Sequence, residues 1–161
     1  MKLDVGTLYV GAILISLCMM PFVFIYMSKN KKQQALKKSL TKMATDTHTS
    51  LGKHEFFVDF ALGTDLHYNY LYVVKEKDRS LVENTVFLNE YSSSKVVQSD
   101  HIIRKNKSRD VVIEKLELNL TDNQTLKETF IEFYNNRDGL PLDGQLQSIK
   151  IWNDLINASR V

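Results

Sequence analysis

The sequence contains one cysteine, two prolines and six glycines in 161 residues. The cysteine, Cys18, lies inside an apolar run, so the rest of the chain cannot form a disulfide between its own residues. A chain built in this way suits a reducing compartment. Zinc sites that use several cysteines are excluded for the same reason.

Motifs of common catalytic and metal sites are also missing. The four histidines, His48, His54, His67 and His101, are never spaced four residues apart. Asp100 precedes His101, but neighbours on a strand point to opposite faces. Nothing resembles a glycine-rich phosphate loop or a Gly-x-Ser-x-Gly elbow. We therefore expect no catalytic residue, no metal site and no cofactor, although an active site assembled from scattered residues would escape a motif search.

Charged residues and histidine are absent from residues 5–28. As a helix this stretch would measure roughly 36 Å, enough to cross a hydrocarbon core of about 30 Å. Tyr9 and Tyr26 lie near its two ends, as aromatic residues do at the headgroup level. Pro21 lies inside the run and is expected to kink the helix. We predict that residues 1–28 are a short N-terminal tail and a transmembrane helix.

A cleaved secretory signal is the main alternative for this run. Such a signal needs a positive segment before a shorter apolar core, and small residues at its cleavage site. Here Lys2 and Asp4 precede the core, and the strong positive charge follows it. A lipoprotein signal would need a small residue where Leu17 precedes Cys18. We favour an uncleaved anchor.

Residues 28–42 carry six lysines and no acidic residue. The lysines are Lys29, Lys31, Lys32, Lys37, Lys38 and Lys42. This excess on one side predicts a single-pass inner-membrane protein with a cytoplasmic C-terminal domain. Residues 1–42 hold seven of the 21 Lys and Arg and one of the 19 Asp and Glu, which leaves a net charge of −4 on residues 43–161. Nucleic acid is not an expected partner of such a domain.

Residues 29–52 are predicted to form a basic juxtamembrane helix and a linker. Leu36, Leu40 and Met43 recur at helical spacing, and residues 29–45 contain neither Gly nor Pro. The helix is either a solvated stalk or lies on anionic lipid, and the sequence leaves both open. The turn formers of "ATDTHTSLGK" then predict the linker.

Residues 53–161 are predicted to form a cytoplasmic domain, mainly β, in which the hydrophobic period is two. Phe56, Val58 and Phe60 are expected to share one face of the first strand. No helical segment separates the strands, which favours an antiparallel sheet. The predicted strands cover residues 54–63, 66–76, 81–90, 94–105, 110–120 and 127–135.

A C-terminal amphipathic helix is predicted after the strands. Its apolar face comprises Leu142, Leu146, Ile149, Trp152, Leu155 and Ile156. Asp138 or Asp143 is expected to supply the N-cap oxygen. Such a helix would cover an open end or face of the sheet.

Antiparallel strands followed by one helix that bears the only tryptophan, Trp152 in "IKIWNDLINA", resemble the pleckstrin-homology-like (PH-like) superfold over residues 54–158. The resemblance implies a bent antiparallel sheet or barrel plugged by the final helix. The chain is also similar to small bacterial membrane-anchored proteins with "KLELNL…IEFYN…W" endings, known mainly from Bacteroidetes-like genomes. Phosphoinositide-binding members carry basic residues between the first two strands, where this chain has "ALGTD". The inositol-lipid function is therefore not carried over.

The favoured hypothesis is a membrane-anchored, non-enzymatic binding or scaffolding module with a protein partner. An anionic-lipid-surface module is the alternative, and an enzyme without recognisable motifs is less favoured. The candidate lipid contacts are Lys29, Lys31, Lys32, Lys37 and Lys38 in the basic block, and Arg104, Lys105, Lys107 and Arg109 in the turn after the fourth strand. For that turn we favour solvated charges at a hairpin tip over a lipid contact.

Overall fold

A long N-terminal helix, α1 (Val5–Asp46), is the first element of the structure. The structure is a computed structural model that describes residues 5–78, 80–105 and 108–159. Within them, α1 is the helix long and apolar enough to cross a membrane, and its most apolar part is not buried against the rest of the chain. The helix includes Pro21 and continues without a break through the lysine-rich block.

Seven antiparallel strands follow α1 and form two sheets. The first sheet has the order β1-β2-β3-β4 and the second has the order β5-β6-β7. The strands are β1 (Leu51–Phe56), β2 (Phe60–Asp65), β3 (Tyr70–Lys77), β4 (Ser80–Phe87), β5 (Tyr91–Lys105), β6 (Ser108–Asp122) and β7 (Glu128–Asn135). A second helix, α2 (Gln145–Ala158), follows them. Strand pairing among the described residues produces two open sheets and does not close a barrel.

The predicted first strand is two strands, because the chain reverses after β1. Phe56 pairs with Ala61, and the Phe57 N–H donates to the Phe60 carbonyl at 2.8 Å. The expectation that Phe56, Val58 and Phe60 share a face is therefore wrong: Val58 lies in an exposed turn. The turn escaped prediction because it contains no glycine or proline.

The predicted N-cap of the final helix is also wrong. The helix begins at Gln145 after Gly144, which has φ 79° and offers no capping side chain. Instead, the Gln145 side-chain oxygen accepts a hydrogen bond from the Asp143 backbone N–H. Leu142 precedes the helix, and Asp138 contacts Lys75.

The inner core lies between the two sheets and α2. Trp152 and Ile149 of α2 are both 0% exposed in its centre. The Trp152 indole N–H donates to Glu55 Oε2 at 2.8 Å, and the Ser148 hydroxyl donates to Glu55 Oε1 at 2.6 Å. One carboxylate of β1 therefore holds the final helix against the first strand. The core also includes Phe60, Leu62, Leu71, Val86, Leu88, Leu116, Leu118, Leu120, Ile131, Phe133 and Ile156.

The outer core lies between the C-terminal part of α1 and the opposite face of the first sheet. It consists of Leu36, Leu40, Met43, Ala44, Ala61, Tyr72 and Val74, all buried. Every residue of β2 is buried, because the strand has the inner core on one side and α1 on the other. The C-terminal part of α1 is therefore docked on the sheet, a contact that the sequence did not predict.

Candidate functional site

The contact between α1 and the first sheet depends on small residues of β2. Ala61 and Gly63 alternate on its outer face, opposite Phe56 and His54 of β1. A Cβ atom added at Gly63 would lie 2.9 Å from the Leu51 Cδ1 atom and 3.6 Å from Leu40 Cδ1. The distance to Leu40 of α1 is an ordinary van der Waals contact, whereas the distance to Leu51 of β1 is too short, so the small residues of β2 leave room for Leu51 beneath α1.

Polar contacts also hold the C-terminal half of α1 against β3 and β4. The Lys32 ammonium lies 2.7 Å from Glu76 Oε2 at the end of β3. The Ser39 hydroxyl donates to Glu83 Oε1 of β4 at 2.6 Å, and the Lys42 ammonium lies 3.6 Å from Glu83 Oε2. These contacts orient the helix across β3 and β4.

The end of α1 is held by a buried tyrosine. The Tyr72 hydroxyl shares hydrogen bonds with the hydroxyls of Thr47 at 2.6 Å and Thr49 at 2.7 Å. His48 between them adopts a positive φ of 56°, the left-handed conformation often found just after a helix. The chain therefore leaves the helix in a defined direction and enters β1.

Docking determines where the domain lies relative to a membrane crossed by α1. Lys32 follows the last residue of the uncharged run, Ser28, by four positions, or roughly 6 Å along the helix. Lys32 contacts the end of β3. We call the part of the domain beside it, comprising the β1–β2 turn, the β3–β4 turn and the start of α2, the membrane-proximal end.

A groove of about 370 Å³ opens at the membrane-proximal end. Its floor includes Phe57, which stacks on Phe60 with ring centroids 4.2 Å apart. The lining residues are Lys32, Gln33, Leu36, Phe56, Phe57, Val58, Asp143 and Gln145. An apolar floor between a lysine on α1 and an aspartate before α2 can accept an amphipathic group.

A charge cluster beside the groove joins the two sheets. The Lys75 ammonium of β3 lies 2.6 Å from Glu132 Oε1 of β7 and 3.3 Å from Asp138 Oδ2. It also lies 3.9 Å from Asp59 Oδ2 in the β1–β2 turn. A single cation is thus shared by three carboxylates, which stabilises the junction between the sheets.

The acidic groups of this cluster have shifted pKa values. Burial raises the pKa of Asp59 above 3.8, and the nearby Lys75 offsets only part of that effect. Burial also acts to raise the pKa of Glu132, but the hydrogen bond and charge of Lys75 outweigh it and place that pKa below 4.5. Burial acts to lower the pKa of Lys75, but its contacts with Glu132 raise it above 10.5.

The predicted lipid-contact residues do not converge on one site in the described structure. Lys31, Lys32, Lys37 and Lys38 are exposed on α1, and of these Lys32 is paired with Glu76. The side chains of Lys29, Arg104, Lys105 and Arg109, and the whole of Lys107, lie outside the described residues. The backbone register places Arg104 opposite Arg109.

Two features of the site were missed in the sequence. The spacing of Leu36, Leu40 and Met43 predicts a helical face but not what it packs on. The small residues Ala61 and Gly63 on alternate positions of β2 are the complementary signal. Glu55 was not recognised as the partner of Trp152, because the pairing joins residues far apart in the chain.

No group of three or more His, Cys, Asp and Glu residues within the described ranges is arranged to hold a metal ion. Comparison with known proteins gave no matching family model, no matching curated protein and no matching solved structure.

Proposed function

We propose that this chain is a single-pass inner-membrane protein whose PH-like domain faces the cytoplasm and binds a protein partner without catalysing a reaction. Antiparallel strands followed by a final helix that buries the tryptophan support the resemblance to the PH-like superfold. The lysine excess after the apolar run supports the cytoplasmic side.

The docking of α1 on the sheet is the observation that carries this proposal. A flexible tether would let the domain sample many heights and orientations above the membrane. A helix packed through Leu36, Leu40 and Met43 holds it in one orientation relative to α1. Such an anchor raises the local concentration of one defined surface beside other membrane proteins.

Site-specific photo-crosslinking in native membranes tests the proposal. A photoreactive phenylalanine analogue replaces Val58 at the membrane-proximal end, Leu81 on β4 or Leu126 in the β6–β7 turn, all exposed. We expect a discrete protein adduct from at least one domain position, and its loss when unlabelled full-length chain is overproduced as competitor. The absence of a competed protein adduct at all three positions would contradict the proposal.

An anionic-lipid-surface module is the second candidate function. Its support is the exposed Val58, which lines the same groove as Lys32, at the end of the domain from which α1 continues toward the apolar run. Crosslinking to lipid at Val58, with no protein adduct at any position, would favour this function over a protein-binding one.

The sidedness has its own test. A C-terminal alkaline-phosphatase fusion should be inactive and a C-terminal fluorescent-protein fusion should fluoresce. The opposite pair of results would place the domain outside the cytoplasm.

A further inference from the structure

Two open sheets leave four edge strands, β1, β4, β5 and β7. An edge strand presents unpaired backbone N–H and C=O groups, and proteins normally protect such edges with charges, bulges, proline or a covering element. Comparing the four edges shows which of them is available to another chain.

The β5 edge is covered by α2. The Ser94 N–H donates to Asn157 Oδ1 at 2.9 Å, and Asn157 Nδ2 donates to the Ser94 carbonyl at 3.1 Å. The Ser94 hydroxyl adds a bond to the Asn153 carbonyl at 3.1 Å. The Asn157 amide thus takes the place that a neighbouring strand would occupy, so the groove between β5 and α2 is closed at this point.

The β1 and β7 edges carry milder protection. The pairing of β1 with β2 is irregular between Leu51 and His54, and Lys53 lies within the irregular part. The β7 strand carries two acidic residues, Glu128 and Glu132, and its register against β6 shifts between Leu116 and Glu117.

The β4 edge has fewer protective features: it has no proline and no register shift, and its one charged residue, Glu83, is bonded to Ser39 of α1. Its eight residues, Ser80–Phe87, pair with β3 in an unbroken register. The strand contains no lysine, arginine, proline or glycine. Leu81, Val82 and Phe87 are 41%, 51% and 37% exposed. A long, regular and partly apolar edge is a template for strand pairing.

The hydrogen-bonding direction along β4 follows from one bond. The Leu88 N–H donates to the Asn69 carbonyl at 2.7 Å, so this residue pair is a hydrogen-bonded one. Antiparallel pairs alternate, so the backbone groups of Val82, Asn84 and Val86 face β3. The outward groups are those of Leu81, Glu83, Thr85 and Phe87. Among the described residues, no backbone bond outside the β3 ladder reaches any of these four.

A second copy of this chain in the same membrane does not fit this edge. Two β4 strands that extend the sheet in antiparallel fashion are related by a two-fold axis perpendicular to the sheet. Because α1 lies on the face of that sheet, the rotation would make α1 of the second copy run in the opposite direction to α1 of the first copy. The two apolar segments would then point in opposite directions, which is incompatible with a shared membrane and a shared orientation.

We infer that the outward edge of β4 is a strand-addition site for an extended segment of a different protein. Aliphatic or aromatic side chains at alternate positions of the segment would pack beside Leu81 and Phe87. Glu83 on the same face disfavours an acidic segment. The inference rests on the proposed function, since it names the surface and the class of partner.

Peptide binding to the full-length chain in nanodiscs tests the inference. The probe is a short fluorescent peptide of alternating valine and threonine with one central lysine. Its twin is N-methylated on alternate amides, which removes hydrogen-bond donors and keeps the side chains. We expect saturable binding of the first peptide and at least about tenfold weaker binding of its twin, the effect of losing hydrogen bonds worth about 1.4 kcal/mol.

Matched variants locate the site. Thr85→Pro removes an outward N–H without touching the β3 ladder, and Leu81→Lys adds the charge that protected edges carry. Leu126→Lys adds the same charge in the β6–β7 turn, where Leu126 is 72% exposed. The first two should weaken binding about tenfold and the third should not. Fluorescence of the buried Trp152 checks that each variant is folded.

Amide hydrogen exchange supplies a second signature. Peptide binding should slow exchange at Leu81, Glu83, Thr85 and Phe87 while the amides that face β3 stay slow throughout. Absence of peptide binding, equal binding of the N-methylated twin, or equal binding to Thr85→Pro would overturn strand addition. In any of these cases a competed protein adduct in native membranes would still support the proposed function.

Discussion

The first sheet has two covered faces of different composition. Its inner face, with Phe60, Leu62 and Leu71, packs large side chains against the second sheet and α2. Its outer face offers Ala61 and Gly63 to a helix whose other half is apolar enough to cross a membrane. The inner face forms the core of the domain, and the outer face joins that domain to α1.

The helix α1 and the domain therefore form one structural unit. Leu40 and Trp152 are both 0% exposed, one in each core, and β2 contributes to both cores. A substitution that destabilises one core should therefore also destabilise the other. Substitutions on the two faces test whether the cores unfold together.

The largest effect is expected in the inner core. Trp152→Ala removes the largest fully buried side chain and leaves the Glu55 carboxylate without its indole donor. We expect a loss of about 3–5 kcal/mol in the free energy of unfolding, measured by denaturant titration with circular dichroism. Trp152→Phe, which keeps most of the apolar volume, should cost less; equal costs would contradict the packing account.

A comparable but smaller loss is expected in the outer core. Leu40→Ala should lower the free energy of unfolding by about 2–4 kcal/mol, because it leaves a cavity between α1 and β2. The unfolding followed by Trp152 fluorescence should shift with it, since the cores share β2. Gln34→Ala, on the exposed side of the same helix, is the control and should change little.

A still smaller effect is expected at the end of α1. Tyr72→Phe removes the hydroxyl that bonds to Thr47 and Thr49, and should cost about 1–2 kcal/mol. Tyr70→Phe is the matched control, because the Tyr70 hydroxyl makes no hydrogen bond among the described residues. Equal effects of the two substitutions would show that the hydrogen bonds of the Tyr72 hydroxyl do not stabilise the fold.

The smallest effects concern the charge cluster, where two carboxylates should behave in opposite ways. The pKa of Glu132 is lowered by its bond to Lys75. Ionised Glu132 therefore stabilises the fold above about pH 4.5, and this stabilisation is lost as the pH falls through the pKa of Glu132 in the folded state. The pKa of Asp59 is raised by burial, so its contribution is present below about pH 3.8 and is lost as the pH rises through the folded value.

The free energies of unfolding of Glu132→Gln and Asp59→Asn should therefore change with pH in opposite directions. Relative to the unsubstituted chain, Glu132→Gln should lose stability as the pH rises from 3 to 6, whereas Asp59→Asn should gain. Each change should stay within about 1 kcal/mol, because the side chains keep contact with solvent. Thermal unfolding at several pH values measures both slopes; slopes of the same sign would refute the assignment.

Local patterns predicted most of the fold. Alternation at Leu116, Leu118 and Leu120 marked β6, and the helical face around Trp152 marked α2. The β1–β2 turn was not predictable because Phe57 and Val58 continue the apolar run through it.

The candidate site was less predictable than the fold. The docking of α1 needs small residues on β2 and leucines on α1, which are individually unremarkable. The difference between a covered β5 edge and an uncovered β4 edge depends on the contact between Asn157 and Ser94, which lie far apart in the chain. Such long-range relations leave no periodic signal in the sequence.

The most direct test of the central claim is a distance measurement between anchor and domain in a lipid bilayer. Spin labels are placed at Gln34 on α1 and Leu126 in the β6–β7 turn, in a Cys18→Ser background, and the distance distribution is recorded by pulsed electron paramagnetic resonance. The docked arrangement predicts one narrow distribution that broadens when Leu40→Asp disrupts the outer core. A broad distribution in the unsubstituted chain, unchanged by Leu40→Asp, would contradict the account.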